Sequence, residues 1–170
     1  LGSLENLEYL LRKNVAVDAA NGFGKTALFY AVGSSNHSAA ELLLRYKADV
    51  NHTYKSAKEL RPNDDECTFS GLRHTRRSTL MHAAQNSDVR MLKILLQAGA
   101  SLQSRDDLGF NAHDYALMGK SRENANYLAS LGLEPAAPTY SSQPDPAVRE
   151  QRILATLRID GYVKHLVIPP

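Results

Sequence analysis

Ser78, His82 and Asp88 fall within one stretch of the chain, Ser78 to Ala100. Their side chains are those of a hydrolase triad, where a histidine takes the proton of a hydroxyl nucleophile and a carboxylate orients the ring. The spacing argues against that chemistry. Ser78 stands at the start of one helix and Asp88 at the turn to the next. The three side chains then lie on different faces of one helical hairpin, and no glycine-flanked nucleophile turn surrounds the serine. A second set, His82 with His113 and Asp114, would need a cleft where imidazole and carboxylate converge.

Metal chemistry has equally thin support. Cys67, the single cysteine, is separated from His52, His74 and His82 by six to fourteen residues, without the paired short spacing of a zinc module. Neither a metal nor a cofactor is expected. Cys67 reads as a free thiol, able in an oxidising compartment to pair with a cysteine outside this sequence. The basic run Arg73, His74, Arg76 and Arg77 could touch phosphate, but no interleaved aromatics or reading helix go with it. Net charge is +2, from 20 basic and 18 acidic residues in 170, too balanced for a field that collects nucleic acid or anionic membrane. No apolar run is long enough to span a bilayer.

The elements that hold these side chains repeat. Leu10-Leu11, Leu43-Leu44, Leu95-Leu96 and Leu128-Ala129 are spaced by 33, 52 and 33 residues, and 52 is 33 with 19 added. A second mark, Leu28, Leu80 or His113, comes 15 residues before each of the last three pairs. Thr26, Ser78 and Asn111 stand where a side-chain oxygen should cap a helix. Small residues follow at Ala31, Ala83, Ala84 and Ala116, and allow close approach of a neighbouring helix. The second helix of each unit carries an apolar stripe, Leu92, Leu95 and Leu96 in one copy and Leu4, Leu7, Leu10 and Leu11 in another. Gly99 and Gly132 close it at a left-handed position, with Lys47 and Asn14 in the same slot elsewhere.

In shared register these marks resemble the ankyrin repeat, with its turn, its T-P-L-H-x-A helix and a second helix. The resemblance covers Leu1 to roughly Glu134. It implies an all-α solenoid of helix–turn–helix units with β-hairpin fingers, divided as a partial repeat 1–20, a repeat 21–53, an insertion 53–72, and repeats 73–105 and 106–134. The motif proline is replaced by Ala27, Thr79 and Ala112, and the motif histidine by Phe29, Met81 and Asp114. His82 lies one position beyond, so the family gives it no role.

A linker, 135–146, follows with four prolines, then a helix and extended tail over 147–170. A terminal repeat exposes an apolar face, and the small Ala125 and Ala129 leave room for the tail to fold back as a cap. The other reading of the tail is a detachable segment that binds something else. Tyr30 and Tyr115, one turn into a first helix, are expected in the core.

The resemblance implies a non-enzymatic module that binds another protein, as a monomer. Family contact positions fall on Phe23 and Lys25, on His74, Arg77, Gln85 and Asn86, and on Leu108, Phe110 and Met118. Phe23, Leu108 and Phe110 are apolar residues on turns, suited either to anchor a partner or to pack on the neighbouring finger. The long insertion adds Tyr54, Phe69 and Leu72, as anchors on the stack or as partner contacts, beside the basic Arg73 and Arg76. Two other functions fit the same residues. One is a regulatory or targeting piece of a larger protein whose enzymatic domain lies upstream; the other is an inhibitor or immunity-type protein that blocks an enzyme. The chain starts at Leu1 in mid-repeat, which reads as a fragment or processed form. One cysteine fits a reducing cytosol best and leaves a periplasmic or secreted setting open.

Overall fold

A computed structural model describes residues 3–60 and 75–136. Helix α1 spans Leu4–Arg12, α2 Ala27–Gly33, α3 His37–Arg45 and α4 Ala57–Leu60. After the insertion come α5, Thr79–Asn86, α6, Val89–Gln97, α7, Ala112–Met118, and α8, Arg122–Ser130. Each long helix starts on a side-chain oxygen that accepts a first-turn N–H. The three caps expected from sequence do so: Thr26 Oγ1 accepts from Phe29 N at 3.4 Å, Ser78 Oγ from Met81 N at 3.3 Å and Asn111 Oδ1 from His113 N at 2.9 Å. Asn36, Asp88 and Ser121 cap the second helix of each pair in the same way.

The helices form two layers. In the inner one α2 packs on α5 and α5 on α7; in the outer one α1, α3, α6 and α8 pack in file. Each inner helix also packs on its outer partner, giving the pairs α2–α3, α5–α6 and α7–α8. The paired-leucine mark falls at one structural spot. The carbonyls of Leu43, Leu95 and Leu128 accept from Ala48, Ala100 and Leu133 N–H at 3.0, 2.9 and 3.1 Å, and all three side chains are buried. Four residues beyond each leucine the backbone turns left-handed, at Lys47, Gly99 and Gly132. Leu28, Leu80 and His113 are buried on the inner helices.

The first unit departs from its expected inward stripe. Leu11 is buried and Leu7 packs on the core, but Leu4 and Leu10 are exposed. The physical reason is that α1 packs chiefly on α3, with no inner helix of its own unit among the described residues to close the other side.

The fingers are tight turns, and the described residues include no strand. Asn21 N–H bonds Lys25 O at 3.1 Å and Asp106 N–H bonds Phe110 O at 2.9 Å, closing two equivalent loops. Between them Thr53 and Ser78 pair as an isolated antiparallel bridge. This middle finger is thus split, and the insertion leaves from its tip. The insertion opens with α4, a helical turn capped reciprocally by Ser56 Oγ and the Glu59 carboxylate. Cys67, Phe69, Leu72, Arg73, His74 and the tail 147–170 lie outside the described residues.

Candidate functional site

Of the residues proposed for contact, Phe23, Lys25, Arg76, Arg77, Leu108 and Phe110 lie on the finger turns, Tyr54 adjoins them, and Gln85, Asn86 and Met118 lie at the ends of α5 and α7. The first and last described fingers are each braced by a side-chain oxygen at their start. Asn21 Oδ1 accepts from Phe23 and Lys25 N–H, both at 3.0 Å; Asp106 Oδ1 accepts from Leu108 N–H at 2.9 Å and Phe110 N–H at 2.8 Å. Such a turn fixes the backbone and holds the following side chains outward. Phe23 is 52% exposed and Leu108 42%, at the same position relative to their caps. Phe110 and Lys25 also share a position, and both are half-buried.

Neighbouring fingers are joined edge to edge. Lys55 N–H bonds Phe23 O at 3.1 Å and Asp107 N–H bonds Thr75 O at 2.9 Å, while Tyr54 N–H reaches Arg77 O at 3.4 Å within the split finger between them. His52 Nε2 meets Gly24 O at 2.7 Å, and Thr79 Oγ1 donates to His52 O at 3.2 Å.

Behind the fingers, aromatic rings and cations alternate. Tyr54 stands edge-on to Phe29 at 5.1 Å, and Phe29 stacks on His82 at 3.8 Å. The Lys25 ammonium lies over Phe29 at 5.4 Å and over Tyr54 at 5.7 Å. The Arg77 guanidinium lies over Tyr115 at 4.3 Å and Tyr54 at 5.8 Å, and one of its nitrogens donates to Gln85 Oε1. Tyr115 Oη donates to Asp106 Oδ2 at 2.6 Å and meets Thr75 Oγ1 at 3.1 Å. Burial raises the Tyr54 and Tyr115 phenols above their ordinary values. It pushes His82 down to about 4, assisted by the charges of Arg77 and Lys25.

Two expectations change here. Tyr54 was open as anchor or contact; it is buried against Phe29, which gives it the anchoring place. Tyr30, expected in the core, is exposed, because α2 packs on α3 and α5 and leaves that side of the helix uncovered. Tyr115 is buried as expected. Arg76, Asn86 and Met118 are exposed, and Gln85 is half-buried. Arg76 also pairs with Glu59 of α4 at 2.9 Å, so it ties the insertion to its finger. Sequence reasoning missed Lys55, exposed beside Phe23, and Asn124, whose Nδ2 donates to the carbonyls of Ala84 and Ser87 at 3.0 and 2.9 Å. Neither carries a motif signal.

Of the chemistry-bearing side chains, His113 is buried on α7 with Nδ1 lacking a hydrogen bond among the described residues, and the others are engaged elsewhere. Ser78 caps α5; Asp88 caps α6 and pairs with His37 Nε2 at 2.9 Å; His82 Nδ1 faces Asn86 Nδ2 at 3.1 Å. The Asp114 carboxylate accepts from Asn111 and Ala136 N–H at 2.9 and 3.1 Å. No group of three potential metal ligands occurs among the described residues, and none of the described helices is long and apolar enough to cross a membrane.

Comparison with known proteins agrees with this geometry. Residues 1–54 match the family model for ankyrin repeats (3 copies), and residues 76–107 that for the ankyrin repeat. The inactive serine/threonine-protein kinase TEX14 of Bos taurus is 34% identical over 123 residues, which are 71% of this chain and 7% of that protein; the Mus musculus protein matches equally. The mitochondrial disaggregase of Bos taurus is 28% identical over 135 residues, 69% of this chain and 20% of that protein. The chain therefore spans a small part of the length of these relatives. Ankyrin repeats generally mediate protein–protein interaction and are non-catalytic. With its stacked helix pairs, capped in register and joined through braced turns, this chain belongs to the ankyrin-repeat family.

Proposed function

We propose that the chain is a non-enzymatic module that grips a partner protein along its finger edge. The array divides as 1–20, 21–53, 73–105 and 106–134, with the insertion leaving the middle finger. The carrying observation is the pair Phe23 and Leu108. Both are large, apolar and exposed at equivalent turn positions, on backbone held rigid by Asn21 and Asp106. Rigid exposed apolar side chains lose little entropy on binding and make good anchors. Lys25 and Arg77, which share the Tyr54 ring, and Gln85, bonded to Arg77, supply polar contacts beside them, and the exposed Asn86 and Met118 at the ends of α5 and α7 add further contacts.

Affinity capture from an extract of the source organism tests this. The wild-type chain is compared with a variant carrying Phe23→Ser, Leu108→Ser and Met118→Ser. These side chains are exposed, so the melting temperature stays within a few degrees while a specific partner is lost. The same proteins recovered with both chains would refute the finger-edge reading.

A second reading has one observation in its favour. The matched region is 7% of one kind of relative and 20% of another, so similar repeats serve inside larger proteins. On this reading the module regulates or targets another domain of its own chain. Co-purification of the array with a separately expressed neighbouring domain checks it.

A further inference from the structure

Arg77 differs from the exposed arginines around it. Arg12 pairs with Glu8 at 2.8 Å, Arg76 with Glu59 at 2.9 Å and Arg90 with Glu41 at 3.8 Å. Arg77 is more enclosed than any of these, yet has no acidic partner among the described residues. It is held by the Tyr115 and Tyr54 rings and steered by the neutral Gln85, and its Nε is buried without a hydrogen bond. Asp106 does not serve it: that carboxylate is taken up by Tyr115 Oη and by the N–H groups of Leu108 and Phe110. Lys25 occupies the equivalent finger position one repeat earlier, also with no acidic partner among the described residues. Both cations face the Tyr54 ring, which puts them within about 12 Å of each other. An enclosed charge left uncompensated is costly, and a guanidinium fixed in place favours a carboxylate over a neutral acceptor.

We propose that the strip between Lys25 and Arg77 reads a carboxylate, an aspartate or glutamate side chain on an extended segment of the partner protein. Arg77 supplies the fixed donors, and Lys25 swings in on its flexible stem. Apolar residues flanking that acid reach the exposed Phe23 and Leu108 on either side. A phosphate backbone is the competing anion. It is disfavoured because Phe29, Tyr54 and Tyr115, the rings that hold the two cations, are buried and offer no face for successive bases to stack on. The inference rests on the protein-binding reading and adds the chemistry of what is bound.

A random-peptide phage library panned on the immobilised full chain tests it. Enriched peptides are then synthesised and titrated by fluorescence anisotropy. They are expected to carry Asp or Glu next to apolar residues. Replacing that acid by its amide should weaken binding about tenfold or more, as loss of a charge-assisted hydrogen bond does. Lys25→Glu should weaken it similarly, with the chain still folded and melting within a few degrees of wild type, and should favour the same peptide with lysine in place of the acid. Enriched peptides without an acid, or indifferent to Lys25→Glu, would overturn the carboxylate site and leave the interaction module standing. No enrichment above a blank surface would overturn both. Equal binding of a dT oligonucleotide, competing with the peptide, would overturn the carboxylate in favour of a phosphate site.

Discussion

Tyr30 and Tyr115 occupy the same position in two repeats, four residues past the caps Thr26 and Asn111. Each phenol bonds the residue that braces its own finger: Asn21 Nδ2 donates to Tyr30 Oη at 2.9 Å, and Tyr115 Oη donates to Asp106 at 2.6 Å. Yet Tyr30 is 56% exposed and Tyr115 is 2% exposed. Tyr115 is roofed by Arg77 and Thr75 of the preceding finger. No described finger precedes Tyr30. Leu10 and Leu43 repeat the lesson in the outer layer, at 50% and 1%. Position within a repeat sets local bonding; burial is set by the neighbour, as nearest-neighbour stacking in a solenoid requires.

Truncation should separate the pair most widely. Tyr115→Ala removes a buried ring and orphans Asp106 Oδ2, and should cost about 3 kcal/mol or more in urea unfolding. Tyr30→Ala should cost less than about 1 kcal/mol. Equal losses would show that the two sites are equally packed.

The helix ends of these two repeats differ in the same sense. Ser34 and Gly119 are equivalent, eight residues past their caps. Ser34 bonds the carbonyls of Tyr30 and Ala31, whereas a side chain on Gly119 would run into the Gln85 carbonyl. Gly119→Ser should destabilise by about 1–3 kcal/mol through overpacking, and Ser34→Gly should stay within about 0.5 kcal/mol. The unfolding midpoints of the two variants provide the check.

His82 is the middle member of the Tyr30–Tyr115 series, and its burial gives a pH readout. Its ordinary value is 6.5 and the folded chain holds it near 4, so between these values the unfolded chain binds the extra proton. Stability is full above 6.5 and falls as pH drops toward 4, by on the order of 2 kcal/mol from this group. His82→Gln should flatten that part of the stability–pH curve. An unchanged curve would mean that His82 is as solvated as Tyr30.

The smallest effect belongs to the fingers. Gly24, Arg76 and Gly109 share one position, and all three have a left-handed backbone. Arg76→Gly relieves about 1 kcal/mol of strain and gives up only exposed, solvent-screened pairs with Glu59 and Asp107. The net change should lie within about 1 kcal/mol of zero. A larger loss would show that the Arg76–Glu59 tie to the insertion holds the middle finger together.

The repeat was legible because its marks are local. Thr26, Ser78 and Asn111 announce caps, and Leu43, Leu95 and Leu128 keep one distance from a left-handed residue. What lay beyond reach depends on residues far apart in sequence. Arg77 lies between rings contributed by Tyr54 and Tyr115, and nothing in its own neighbourhood says so. Tyr30 looks like Tyr115 in pattern, and only the missing roof separates them. Arg76 stands where two other repeats have glycine, and its left-handed backbone shows only against those copies. Among the contact candidates, the turns carrying Phe23 and Leu108 were readable, while the burial of Tyr54 was not.

Site-specific photo-crosslinking tests most directly whether the finger edge is the working surface. Benzoylphenylalanine is placed at Phe23 or Leu108 on the fingers, and at Leu10 or Leu131 on the outer helices, all of them exposed. The finger positions should capture the partner and the outer positions should not. Capture from Leu10 or Leu131 alone would contradict the account.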